Sequence, residues 1–516
     1  ISGYSRPEED LLKFKQPRNH KAMDTKENKL SRSVAAALIA IAGNTYAVAD
    51  DARENYDLNG NGLIEINSLS DLNKIRDYSD PESEFNLTAP GCPDEGCTGF
   101  ELTADLDFDT NGDGVIDEND DYWNEGLGWQ PIGTESNPFG TVFEGNGHSI
   151  KNLYINRPDS NDVGLFGYVR LSTGIRNLIL DGALTSVTGK DYVGLLTGHS
   201  VNTPYINLAT SGDVYGENYV GGLVGSTTPA GSYSHISHSY TRVNVVATGN
   251  NVGGIAGEIN SANIEYSFSA ANITGNTDVG GIVGIGANGS PAYTYFTGNI
   301  TATGAAGGLV GSNRYSSLNI YKSWANATFN TDSSAENIGA LIGYAGSVTI
   351  NDSYWATESA EYADGSGLAT INNSSGHEES VLRCPTAAND TDCTTDSTLY
   401  RNWHTATYQL EDETEVQYWD FGTAEQLPAL SFYGYVLRDS DGDGVWDFED
   451  AYPDDPTRSE PDPAPEEEPE NTDPENEGAP EETPENESSG GGSSGGGSLI
   501  WLFGLAPLMT LRRKSC

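Results

Sequence analysis

Three stretches of this 516-residue chain place oxygen-bearing side chains at alternate positions around a glycine. Asp109, Asn111, Asp113, Asp117 and Asp120 occupy positions 1, 3, 5, 9 and 12 of a loop with Gly114 at position 6. Asp439, Asp441, Asp443, Asp447 and Asp450 repeat that spacing around Gly444. A weaker copy holds Asp57, Asn59, Asn61 and Glu65, with Ser68 at position 12. Hard cations take about six to eight oxygens, and a glycine at the sixth place permits the sharp turn that gathers them. Val115 and Val445 would add backbone carbonyls. Asp at position 12 reaches less far than Glu and weakens bidentate closure. The expected cofactor is structural Ca2+.

Other chemistry is thin. A polysaccharide lyase needs a base, commonly Lys or Arg, beside cation-binding carboxylates. Between residues 164 and 343 the basic residues are Arg170, Arg176, Lys190, Arg242, Arg314 and Lys322, and they share no repeat position. Asp181, Asp191, Asp213, Glu258, Glu265 and Asp278 offer carboxylates, but no motif singles out the pair a glycosidase requires. His148 sits in a G-N-G-H-S-I turn and reads as structural. His199, His235 and His238 lack an identifiable set of co-ligands, and G-x-S-x-G is absent. The formal charge of −50 excludes nucleic acid as a partner, because nothing in the chain would neutralise a run of phosphates.

The elements that must carry these loops are repeats. Segments such as VGLLTG, VGGLVG and VGGIAG close on Gly167, Gly198, Gly225, Gly257, Gly284, Gly311 and Gly343, at intervals of 27 to 32 residues. Periods in that range mean a solenoid, in which each unit buries its face only against its neighbours. Leu165, Leu196, Leu223, Ile255, Ile282, Leu309 and Leu341 form one apolar column. Val193, Val220, Val252, Val279, Ala306 and Ile338 form a second, three residues earlier. Side chains alternate with period two along a strand, so an odd offset demands a bend at the intervening glycine. Tyr240, Phe268, Phe296 and Trp324 suggest an aromatic ladder, expected inside the rod. Asn244, Asn272, Asn299 and Asn326 suggest a hydrogen-bonded stack at a turn. Stacked like residues at about 4.8 Å suit a parallel sheet wound into a β-helix. SLSDLNKIRDY (68–78) predicts a short helix capped by Ser68 or Ser70.

These units resemble the GLUG motif of bacterial surface and secreted proteins, which implies an all-β, right-handed parallel β-helix over residues 125–355. FEGNGHSIKNLYI (143–155) resembles the rung that precedes such units, and WDFGTAEQLPALSFY (419–433) their closing segment. DSDGDGVWDFEDAYPDDP, within 438–459, resembles a thrombospondin type 3 calcium repeat. At the C-terminus, SSGGGSSGGGS leads into an apolar run and Arg512-Arg513-Lys514, an order that resembles the GlyGly-CTERM sorting tail (499–516). That resemblance implies a Gram-negative cell, a rhombosortase-type processing protease and the type II secretion machinery as partners. The apolar run spans only roughly 20 Å, so membrane contact is expected through this segment alone.

The remaining segments complete the organisation. Residues 23–49 read as a signal peptide: Lys26, Lys29 and Arg32, then an apolar stretch, then Ala47-Val48-Ala49. Residues 1–22 then read as upstream sequence. Residues 50–124 form an N-terminal cap bearing two of the loops, 356–437 a C-terminal cap, and 460–498 a disordered stalk, acidic and Pro-rich, then Gly/Ser-rich. Four cysteines remain between the ends, Cys92, Cys97, Cys384 and Cys393. Export makes disulfides permissible, and of three pairings the local ones, 92–97 and 384–393, are favoured. The mature piece carries 15 basic and 71 acidic residues, a self-repulsion that bound divalent cations would relieve. The expected protein is exported to the cell surface or medium, calcium-stabilised, and used for adhesion or for matrix or glycan contact without catalysis. The alternatives are a secreted polysaccharide lyase or glycoside hydrolase, and a passive envelope spacer.

Overall fold

A computed structural model describes residues 53–459, apart from 171–172, 230–233, 333–334, 384–398, 401–402, 411–413, 423–425, 433 and 443–444. The signal, stalk and sorting segments, Cys384, Cys393 and Asp443 lie outside the described residues. The fold is all-β, a parallel β-solenoid with few and short helices. One interior column shows its continuity: Ile64, Phe100, Phe143, Ile175, Tyr205, Ile236 and Ile264 are successive register partners, all fully buried. Parallel pairing therefore starts at Leu63–Ile66, within the N-terminal segment, and continues to Ser375–His377. Burying apolar side chains at one spot of every rung is what closes a coil whose single turns have no core of their own.

The glycine-rich repeats build one corner. Val193, Val220, Val252, Val279, Ala306 and Ile338 are direct register partners. The strand Asn218–Gly221 stops and Val224–Thr228 starts on either side of Gly222-Leu223. The bend demanded by the odd offset lies there, and it turns both Val220 and Leu223 into the core. The glycines are required by space. A Cβ on Gly281 would overlap the carbonyl oxygen of Gly308 and the ring of Phe296.

A second corner rests on a column that the repeat pattern did not isolate. His238, Tyr266, Tyr293, Lys322, Asp352 and Asn373 all adopt positive φ, and each is followed by Ser or Thr. The hydroxyl of Ser239 donates to the Ser237 carbonyl at 2.9 Å, Ser323 to Tyr321 at 2.9 Å and Ser353 to Asn351 at 2.8 Å. The same oxygens accept backbone amides from the preceding rung: Leu208 N–H to Ser239 at 3.2 Å, Thr294 to Ser323 at 3.0 Å and Ser323 to Ser353 at 3.2 Å. A left-handed residue interrupts the backbone ladder, and a hydroxyl on the next residue bridges the gap.

The residue after the hydroxyl is aromatic on the first five of these rungs and Ser375 on the sixth, and here the structure corrects the ladder. Its members are Tyr240, Phe268, Tyr295, Trp324 and Tyr354, in direct register. Phe296 pairs with Ser269 and Ala325, points inward and is fully buried. The repeat there is 27 residues rather than 28, and a slip of one residue moves a side chain to the other face. Asn326 also leaves the amide column, because the next interval is 29 residues rather than 27 and Thr328 stands opposite Asn299. The ladder also lies outside the rod, not within it. It packs in a second core with Tyr400, Trp403, Trp419, Leu430 and Trp446 of the C-terminal arm.

Substituting Gly281→Ala is expected to destabilise the fold by about 3 kcal/mol, since neither contacting group is the end of a flexible chain. Asn299→Ala, which removes one exposed amide bond to Asn272, is expected to cost about 1 kcal/mol or less. Urea titration of both variants checks the contrast.

Candidate functional site

The helix α1 (Leu69–Lys74) starts as expected at Ser68, whose hydroxyl accepts the Asp71 amide at 3.1 Å. That use of Ser68 decides the fate of the first loop. Its carboxylate Asp57 accepts the amides of Asn61 at 3.0 Å and Gly62 at 2.8 Å. Asp109 accepts those of Asp113 at 3.2 Å and Gly114 at 2.9 Å, so the two loops share one conformation. Gly60 and Gly62 match Gly112 and Gly114 in φ to within a degree, at +72° and +82° against +71° and +82°.

They differ at position 12. Asp120 folds back into its own loop, accepting the Thr110 amide at 2.8 Å and the Asp117 amide at 2.9 Å. Ser68 is spent on the helix, and the first loop is closed instead by Glu101 of the neighbouring rung, which accepts the side-chain amides of Asn59 at 2.7 Å and Asn61 at 3.0 Å. The donor set of the 109 loop thus suits a hard cation better than that of the 57 loop. In the third loop, Asp439 accepts the Gly442 amide at 2.7 Å, Asp447 accepts that of Ser440 at 2.7 Å, and the buried Asp450 keeps one oxygen without a hydrogen-bond partner. An orphaned buried carboxylate oxygen at position 12 fits a cation ligand. Among the described residues no three His, Cys, Asp or Glu side chains already converge on one point.

Two further carboxylates had no sequence motif to reveal them. Glu65, Glu101 and Glu144 are consecutive register partners, all buried. Arg176 terminates the column, with Nε 2.6 Å from Glu144, and Asn146 and Asn177 donate to Glu101 and Glu144 at 2.8 Å. Burial, Glu101 and Asp57 push the Glu65 carboxyl above its usual range. Cys92 and Cys97 form the expected disulfide, with Cα atoms 5.1 Å apart.

On the outer face of the rod a second group converges. Tyr168, His199, Ser226 and Glu258 are successive register partners. Tyr192 stacks between His199 at 5.0 Å and Tyr219 at 4.7 Å. Asp162 lies 3.7 Å from His199, and Ser226 donates to Glu258 at 2.8 Å. Burial raises the Glu258 carboxyl. The result is a half-buried patch of stacked rings flanked by two carboxylates. Of the other candidates, His148 bonds Asp105 at 3.0 Å as a structural turn residue. Asp278 is held by Arg314 at 2.6 Å, and His238 meets Tyr418 at 3.1 Å.

The arm runs back along the aromatic ladder. Trp403 donates to the Asp352 carbonyl at 3.0 Å, Tyr295 donates to that of Leu437 at 3.3 Å, and Tyr418 stacks on Tyr266 at 3.9 Å. Trp446, inside the third loop, stands edge-on to Tyr240 and Phe268. Arg242 lies over its ring at 3.4 Å and pairs with Asp439 at 3.1 Å.

No family model matches the chain. Over 190 residues, 36% of this chain, it is 34% identical to halomucin of Haloquadratum walsbyi. Over 102 residues, 20% of this chain, it is 37% identical to a Gly-rich membrane protein of Evansella cellulosilytica. The matches span 2% and 11% of those two relatives' own lengths. Among solved structures, an immunoglobulin A1 protease from Bacteroides ovatus aligns over 69% of this chain and 92% of its own, at 16% identity and a TM-score of 0.37. A second IgA1 protease aligns over 55% of this chain and 21% of its own, at 18% identity and a TM-score of 0.35. Among the described residues no helix is long and apolar enough to cross a membrane.

Burial, with His235 as a smaller cause, lowers the His238 pKa to about 4. A depressed histidine binds its proton more readily unfolded, so its contribution is complete above the unfolded value near 6.5 and is lost as pH falls toward 4. Between pH 7 and pH 5 the loss is expected to be about 1–2 kcal/mol. His238→Asn, which suits the left-handed backbone there (φ 53°), is expected to remove that pH dependence. Thermal melts of both proteins at the two pH values measure it.

Proposed function

We propose that this is an exported, calcium-stabilised surface protein whose β-helix makes adhesive contact with extracellular matrix or glycans, without catalysis. The observation that carries this reading is the ring stack His199–Tyr192–Tyr219 on the outer face of consecutive rungs, flanked by Asp162 and Glu258. Aromatic surfaces engage the C–H faces of sugars, and carboxylates beside them accept hydroxyl protons. The local similarity to halomucin and to a Gly-rich membrane protein supports a place at the cell surface. The GLUG-like, thrombospondin-like and GlyGly-CTERM-like segments support export through type II secretion with rhombosortase-type processing. Tyr192→Ala with Tyr219→Ala is expected to reduce binding of the full-length protein to immobilised matrix polysaccharides by about tenfold. Equal binding by the double variant would remove the platform.

A second reading is favoured by the Glu258 carboxyl, which burial raises against the lowering effect of His199 two rungs along the same column, the direction that suits an acid in glycoside hydrolysis. New reducing ends released from a polysaccharide panel, and lost in Glu258→Gln, would establish the hydrolase and overturn the adhesive reading.

The calcium component stands on the 109 and 439 loops, where Asp109, Asp113, Asp117 and Asp120, and Asp439, Asp441, Asp447 and Asp450, would hold the ion. It would neutralise carboxylates at the N-terminal end of the rod and on the covering arm. Calcium at about 100 times its dissociation constant is expected to add about 2.7 kcal/mol per site. Asp109→Ala with Asp120→Ala is expected to abolish the share of the first site. Thermal midpoints unchanged by Ca2+ and by chelator would reject the proposal.

A further inference from the structure

Between the aromatic ladder and the arm lies a cavity of about 410 Å3. One wall is Phe268, Tyr295 and Trp324. Their rings are stacked within 4° of parallel, so they turn edges rather than faces sideways. Aromatic edges carry the positive side of the ring quadrupole. The arginines Arg242, Arg383 and Arg438 also line the space. Basic residues are scarce here, 15 against 71 acidic between residues 50 and 498, yet three of them meet at one hollow.

Each of the three has a carboxylate partner. Arg242 pairs with Asp439 at 3.1 Å, Arg438 with Asp420 at 2.8 Å, and Arg383 with Glu379 at 2.9 Å. Hydrogen-bonding capacity remains on two of the lining side chains. The indole Nε1 of Trp324, on a side chain only 1% exposed, and the Nε of Arg438 are both buried without a partner. Both are donors. A guest that satisfies them must bring acceptors, and a carboxylate brings acceptors only.

We propose that this cavity binds the carboxylate of a small organic acid or of a chain-terminal acidic group. The volume lies in the range of small-ligand sites, roughly 300–1,000 Å3. The inference is independent of the glycan-contact reading, whose platform is Tyr192 and Tyr219 on the half-buried outer face of the rungs. Either can fail while the other stands.

The test is calorimetric titration of the full-length protein with sodium glucuronate, N-acetylglutamate and methyl glucoside, with tryptophan emission as a second readout. Saturable binding of either acid, and none of the neutral glycoside, is expected. Glucuronate alone assigns a sugar acid, and N-acetylglutamate alone assigns a peptidic acid. Trp324→Phe keeps the stacked ring and removes the orphaned N–H. It is expected to raise the thermal midpoint and weaken acid binding by about tenfold, the loss of one charge-assisted hydrogen bond. Arg438→Lys is expected to weaken it at least as much, and Tyr192→Ala to leave it unchanged. No binding of either acid, equal binding of the glycoside, or full affinity in Trp324→Phe would each overturn the proposal.

Discussion

The fold depends on how a parallel coil satisfies its backbone where it must turn. Every amide in a rung needs a carbonyl from the next, and a left-handed residue at the corner breaks that supply. Ser239, Ser323 and Ser353 restore it by donating to their own rung and accepting from the neighbour, with all three hydroxyls fully or almost fully buried. Once the hydroxyl is pinned, the next side chain must point outward. That is why Tyr240, Phe268, Tyr295, Trp324 and Tyr354 emerge on one line at ring separations of 4.5 to 5.2 Å where they stack. An exposed ladder of that size would be an adhesive edge for any apolar surface. In this chain the arm occupies it, and Phe268 and Trp324 are left 1% exposed.

The arm and the third loop are one unit for the same reason. Trp446 sits between the loop's aspartates in sequence and against Tyr240 and Phe268 in space. Asp439, the first residue of the loop, is paired with Arg242 from the rod. Any cation taken up by the loop must therefore share Asp439 with that arginine. Loop chemistry and cover of the ladder are coupled through two side chains, and the cavity lies beside both.

Much of this was legible. The glycine corner, its Val and Leu columns, the Ser68 cap and the 92–97 disulfide follow from spacing and local propensity. The ladder was half legible. Tyr240, Phe268 and Trp324 stand where the repeat puts them, but Tyr-Phe at 295–296 offers two aromatic residues in a row, and only register chooses between them. Its position outside the rod was hidden because the covering residues lie some 50 to 200 positions away in sequence. The hydroxyl column was visible in principle as a Ser or Thr before each aromatic residue. Serine is common in turns, so the signal emerges only when the rungs are aligned on the aromatic column. Glu101 and Glu144 are register partners separated by an irregular insert, which no fixed period would reveal.

Register also explains how so acidic a chain can stack at all. A carboxylate only accepts, so a column of Glu needs donors from elsewhere at every level. Glu65, Glu101 and Glu144 take them from Leu58, Asn59, Asn61, Asn146 and Asn177, and the column ends at Arg176. An amide both donates and accepts, so it can repeat without limit. Asn207 donates to Asn177 at 2.8 Å, Asn299 to Asn272 at 2.7 Å and Asn372 to Asn351 at 2.9 Å. Where an acid begins such a column, an amide takes over one rung later, as Asn218 does above Asp191 at 2.9 Å. Like charges 4.8 Å apart would repel along the whole rod, and neutral amides would not. Beyond that Glu column, much of the negative charge stands in loops and in the acidic tail sequence, where water, salt or a divalent ion can screen it.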